Sequence, residues 1–133
     1  MAYGWAEHVG ELELRIEAAS EQEVFVEALR ALNELLSEDA APDGEQECRE
    51  VAAAGGERAL LLVAWLEELA FLAEVDGFVP EAVDELELGG GALRASVLGR
   101  TGSPRHLVKA VTYHRLAFEP CSQGWRAVAV LDV

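Results

Sequence analysis

Lysine is nearly absent from this chain. Of its 10 basic residues nine are arginines, spread from Arg15 to Arg126, and the remaining one is Lys109. Basic charge is scarce altogether: 10 Lys and Arg face 25 Asp and Glu, for a net charge of −15. Such a balance repels phosphate backbones and anionic membranes, which argues against direct nucleic-acid binding and against membrane attachment. An acidic coat serves solubility, and beyond that it suits a basic protein partner or a bound cation. Cysteine is equally sparse. Cys48 and Cys121 have no metal-ligand spacing, and a reduced pair in the cytoplasm is the default expectation, with a disulfide as the alternative. No apolar run is long enough to span a bilayer, since the richest, 59–73, is too short and carries Glu67 and Glu68. The first eight residues have neither a basic start nor an apolar stretch, so no signal peptide is expected there, and the expected compartment is the cytoplasm.

What the chain does contain is patterned. With 133 residues, 51% of them hydrophobic, it is expected to form one domain over 1–133 that buries roughly two thirds of its unfolded surface. Leu12, Leu14 and Ile16 alternate with charged neighbours, a period-two strand with one buried face. Ser20 and Glu23 form a Ser-x-x-Glu capping box, and Val24, Phe25, Ala28, Leu29, Leu32, Leu35 and Leu36 follow at helical spacing. A polar turn over 38–44 leads to a weakly signalled strand at 46–52. Gly55-Gly56 precedes a second helix over 57–74, with Leu62, Trp65, Leu66, Leu69, Leu72 and Ala73 as its stripe, and Gly77 and Pro80 end it. Strands are expected at 82–88, 93–98, 107–119 and 125–131. Gly89-Gly-Gly91 joins the first two, and Cys121-Ser-Gln-Gly124 turns the last two as a hairpin. Two helices among such strands predict an α+β fold: a mostly antiparallel β-sheet with both helices packed on one face.

Chemistry concentrates in the last hairpin. Pairing back from its turn sets Asp132 opposite residues 110–113, at a cross-strand spacing of about 5 Å. Lys109 then lies about 3 to 13 Å further along. It forms a salt bridge with Asp132 or is a solvated lysine on a sheet face. Asp132 and the α-carboxylate of Val133 are neighbours, and converging carboxylates repel unless a proton or a cation intervenes. Ca²⁺ or Mg²⁺, which take oxygen ligands, are the natural cations, with Glu11 on the first strand as a third donor. His8, His106 and His114 have no shared metal-ligand spacing. No nucleophile elbow or phosphate-cradling glycine loop is present.

The run Lys109-Ala-Val-Thr-Tyr-His114, the ending Val130-Leu-Asp-Val133 and the block Leu62-Val-Ala-Trp-Leu-Glu-Glu-Leu69 with Asp76-Gly-Phe-Val-Pro80 together resemble the archease family, in family order over nearly the whole chain. That resemblance implies a small protein cofactor of the RtcB-type RNA-splicing ligase, one that promotes ligase guanylylation in tRNA splicing or RNA repair. It further implies a divalent-metal site at one end of the sheet, with Asp132 as the aspartate next to the C-terminus and Lys109 as the functional lysine. Glu11 falls where the family has the aspartate of an N-terminal His-Thr-Ala-Asp motif, here His8-Val-Gly-Glu11. The extra methylene moves that carboxylate by about 1.5 Å. Glu13 stands where the family usually has a small residue, and the loop 101–106 is short.

The expectation is a non-catalytic activator, with Glu11, Asp132 and Val133 as metal ligands and Lys109 facing a nucleotide, a phosphate or ligase carboxylates. His8, Tyr113 and His114 are expected just behind the ligands. Two other classes compete. One is a metal-dependent hydrolase, recognised by nucleotide turnover from the purified protein. The other is an acidic structural or interaction protein with a diverged partner, whose melting temperature ignores Ca²⁺, Mg²⁺ and chelator.

Overall fold

A computed structural model describes residues 2–8, 10–38, 41–104 and 107–133, with the backbone alone of His8. The element order is β1 (Ala2–His8), β2 (Glu11–Ala18), α1 (Glu21–Leu36), β3 (Gln46–Ala54), α2 (Arg58–Asp76), β4 (Phe78–Leu88), β5 (Ala92–Thr101), β6 (Ala110–Cys121) and β7 (Gly124–Asp132). Every strand pairing is antiparallel. The α+β expectation therefore stands, with the strands shared between two sheets: a four-stranded sheet ordered β1-β2-β7-β6 and a three-stranded sheet ordered β3-β5-β4.

Both helices touch both sheets. α2 turns one side to the sheets and α1, while Leu60, Phe71 and Val75 on its outer side are exposed. Leu61, Leu62, Val63, Trp65, Leu66, Leu69 and Ala73 are all buried, and the Trp65 indole donates to the Phe25 carbonyl at 3.0 Å, tying α2 to α1. The capping box forms as the sequence predicts. The Ser20 hydroxyl accepts from the Glu23 backbone at 3.2 Å, while the Glu23 carboxylate accepts from Ala19, one residue earlier than the ideal box. Gly77 closes α2 with φ +65, a left-handed conformation that suits glycine.

Three departures from the sequence reading have clear causes. β1 was not expected, because Tyr3 and Trp5 in 2–8 do not alternate with enough apolar partners. It exists because it pairs residue for residue with β2, from Ala2↔Glu17 to His8↔Glu11. β4 begins at Phe78 rather than at 82, running through Pro80; it lies at a sheet edge, and the register slips between Pro80 and Ala82, the two settings that tolerate proline in a strand. The expected strand 107–119 starts instead at Ala110 and is interrupted. Thr112 pairs with Val130, but the next pair is Ala117↔Val128, so residues 113–116 bulge out opposite Ala129 alone.

Candidate functional site

The registers of β2, β7 and β6 meet at one end of the four-stranded sheet. Glu11 is directly opposite Asp132 across β2–β7, and Ala110 is opposite Asp132 across β6–β7. The Lys109 backbone N–H donates to the Asp132 carbonyl at 2.7 Å, and the Val133 N–H donates to the Gly10 carbonyl at 3.2 Å. Because cross-strand partners share a face, the side chains of Glu11 and Asp132 project to the same side of the sheet. Glu13, Arg15 and Glu17 follow Glu11 on that side, while Leu14, Ile16 and Ala18 face the core.

The bulge in β6 folds over this face. Arg115 at its centre has φ +55, a left-handed conformation rare outside Gly, Asn and Asp that costs on the order of 1–3 kcal/mol. It brings the Arg115 Nε to Glu13 Oε1 at 2.6 Å and Nη2 to Glu11 Oε1 at 3.7 Å. Arg15 takes the other Glu13 oxygen, Nε to Oε2 at 2.6 Å. Glu13 is only 4% exposed, a position that a carboxylate holds only when paired. Hydrogen bonds from Arg15 and then from Arg115 keep its carboxyl below the usual carboxylate range, outweighing the opposing effect of burial. His114 Nδ1 stands 3.8 Å from Glu11 Oε2.

The expected site residues thus divide into two groups. Glu11, Asp132 and the Lys109 backbone come together at the sheet end. The donor set of Glu11, Asp132 and the Val133 carboxylate is all oxygen, the chemistry of a hard divalent cation. Among the described residues no three His, Cys, Asp or Glu side chains form a metal cluster, so any third donor has to come from outside that set. Glu11 and Val133 also border a cleft of about 370 Å³ lined by Trp5, Glu7, Leu12, Glu34, Leu35 and Glu38. Lys109 borders a different cleft, between the start of β6 and the outer side of α2, with Glu67, Glu68, Phe71 and Glu74. Among the described residues its ammonium has no ion pair, so the salt bridge to Asp132 offered by the spacing does not form. Tyr113 is exposed at 67%, and His114 reaches Glu11. The His8 side chain and residue His106 lie outside the described residues.

Sequence reasoning did not single out Arg115. An arginine in a strand pattern reads as an outward-facing solvated residue, and neither Gly nor Asn marks the left-handed position. Glu13 was visible only as an odd residue beside Glu11. Its burial depends on a bulge that forms a hundred residues later in the chain.

Comparison with known proteins places the chain in a family. A model of the archease protein family matches residues 3–133. The chain is similar to the protein archease of Methanopyrus kandleri, 35% identical with 96% of each chain covered. It is also similar to that of Methanosarcina mazei, 32% identical with 98% of this chain and 95% of the relative covered. In structure it is similar to Methanobacterium thermoautotrophicum protein 1598, with a TM-score of 0.70, 20% identity and 98% of both chains covered. A Thermotoga maritima structure described as an archease, possible chaperone, has a TM-score of 0.63, 21% identity, and coverage of 96% of this chain and 94% of that one. At these structural identities the likeness is one of fold.

Proposed function

The chain belongs to the archease family, and on that premise we propose that it is a non-catalytic activator of an RtcB-type RNA-splicing ligase, promoting ligase guanylylation in the cytoplasm. The observation that carries this reading is the register at the sheet end. Glu11 stands opposite Asp132, and Lys109 is hydrogen-bonded through its backbone to the same aspartate. In this proposal Glu11, Asp132 and the Val133 carboxylate hold a divalent cation, Ca²⁺ or Mg²⁺. When bound, such an ion relieves the repulsion between converging carboxylates and offers a positive centre to an acidic or phosphate group of the partner.

The chain's own residues then have separate tasks. Asp132 and Glu11 are held by the β2–β7 ladder, so their spacing is fixed by backbone pairing rather than by flexible side chains. Lys109, fixed at its backbone and unpaired at its ammonium among the described residues, presents a compact mobile charge on a four-carbon stem. That suits contact with a phosphate or with ligase carboxylates. The −15 balance is consistent with a protein that meets its target through a partner rather than by gripping RNA.

The test is reconstitution with the host's ligase, GTP and Mn²⁺, following ligase–GMP formation over time. Wild type is expected to accelerate it, and Lys109→Ala and Asp132→Ala are expected to fold normally and lose the acceleration. If both variants stimulate as well as wild type, the assignment of these residues fails.

A further inference from the structure

The metal reading leaves one arrangement unaccounted for: a strained arginine, carried on a bulge, leaning on the carboxylate that this reading makes a ligand. We propose that Arg115 is a built-in counter-cation that competes with a divalent ion for Glu11, so that the β6 bulge sets the cation affinity of the sheet end. This rests on the proposed cation site and adds its regulation.

The geometry supports exchange rather than a permanent clamp. One guanidinium spans two carboxylates two residues apart on β2, closely at Glu13 (2.6 Å) and loosely at Glu11 (3.7 Å). The short contact is an anchor. Glu13 is buried, and its second oxygen is already held by Arg15 at 2.6 Å, so it keeps a partner if Arg115 turns away. The long contact exceeds the usual hydrogen-bond distance and can be given up at little cost. Among the described residues Glu11 has no other basic neighbour except the His114 imidazole at 3.8 Å, and Asp132 has none within ion-pair distance. Glu11 therefore has one full positive charge within reach, supplied by the chain itself. A divalent ion arriving at Glu11 meets that like charge, and either Arg115 withdraws onto Glu13 or the ion binds weakly. Arg115 is a positioning residue in this scheme: it acts on the site through Glu11.

Calorimetric titration of the full chain with CaCl₂ and with MgCl₂ tests this, each variant first being shown to melt cooperatively. Arg115→Gln is expected to bind the preferred ion about tenfold more tightly than wild type, a change equivalent to about 1.4 kcal/mol. Arg115→Lys, which keeps the charge, is expected to stay near wild type, a difference that a merely structural role for Arg115 does not predict. If Arg115→Gln fails to fold because Glu13 is left with one partner, Glu13→Gln/Arg115→Gln neutralises both members and is expected to retain the tightening. Equal or weaker affinity in the charge-removing variants, with binding still abolished by Asp132→Ala, overturns the competition and leaves the cation site standing. No heat of binding in wild type or in any variant overturns both. Because guanylylation is measured separately, loss of the activator reading alone is recognised by tight, Asp132-dependent binding without stimulation.

Discussion

Glu13 shows how one residue can connect stability with the functional end of the sheet. It is buried and held at both oxygens by arginines. Glu13→Ala leaves Arg15 without its ion-pair partner and Arg115 with only its longer contact to Glu11, and is expected to lower unfolding free energy by about 1–3 kcal/mol in urea titrations. Its depressed folded-state pKa has a definite sign in pH dependence. The stabilisation is fully present above the unfolded value, about 4.3, and is lost as pH falls through the lower folded value. The urea midpoint of wild type should therefore drop below about pH 4.3 more steeply than that of Glu13→Gln, which has no proton to gain at this site. Identical acid profiles would show that the pair contributes nothing to acid stability. Tyr3 provides an independent check on packing between β1 and α1. Its hydroxyl donates to Glu34, and that hydrogen bond, with burial and the nearby negative charge adding to it, pushes its pKa to about 12. In a Tyr113→Phe background, where Tyr3 is the remaining tyrosine, phenolate absorbance should rise near that value and shift down on Glu34→Gln.

Single elements depend on their ends. At the start of α1, the Ser20 hydroxyl satisfies an otherwise unpaired backbone N–H, and Ser20→Ala is expected to cost about 1 kcal/mol. At the end of α2, Gly77 meets two demands. Its φ is +65, and a Cβ there would come within 2.6 Å of the Gly102 carbonyl oxygen. Gly77 and Gly102 are also joined by a hydrogen bond of 2.9 Å between the Gly102 N–H and the Gly77 carbonyl, so the strain cannot be released by moving one segment alone. Gly77→Ala should therefore exceed the roughly 1 kcal/mol of an ordinary left-handed glycine substitution, measured by the loss in melting temperature against Ser20→Ala. Equal losses would mean that the 102 segment yields freely.

Across the whole molecule the dominant quantity is charge. At −15 the folded state carries self-repulsion that added salt screens, so the melting temperature is expected to rise with NaCl. At constant ionic strength, any further rise with Ca²⁺ or Mg²⁺ that Asp132→Ala abolishes reports binding to the native state. A rise that the variant keeps reports screening alone.

Local chemistry was enough to read much of this protein. Ser20 and Glu23 announced α1. The apolar spacing from Leu62 to Ala73 announced α2, and Cys121-Ser-Gln-Gly124 announced the β6–β7 hairpin, because caps, stripes and turns are written within a few consecutive residues. Counting back along that hairpin set Asp132 opposite residues 110–113, and the bulged register settles on Ala110. Glu11 was named as a candidate third oxygen donor from residue type and family likeness, and the β2–β7 register sets it opposite Asp132. Three matters required the folded chain. The division into two sheets, with α2 touching both, depends on which strands find each other across long separations. The strand at 2–8 forms because β2 offers it a partner. The bulge that lays Arg115 over Glu13 and Glu11 joins residues about a hundred positions apart. No periodicity within either strand encodes it, since a strand pattern records which face a side chain takes and is silent about where the partner strand slips.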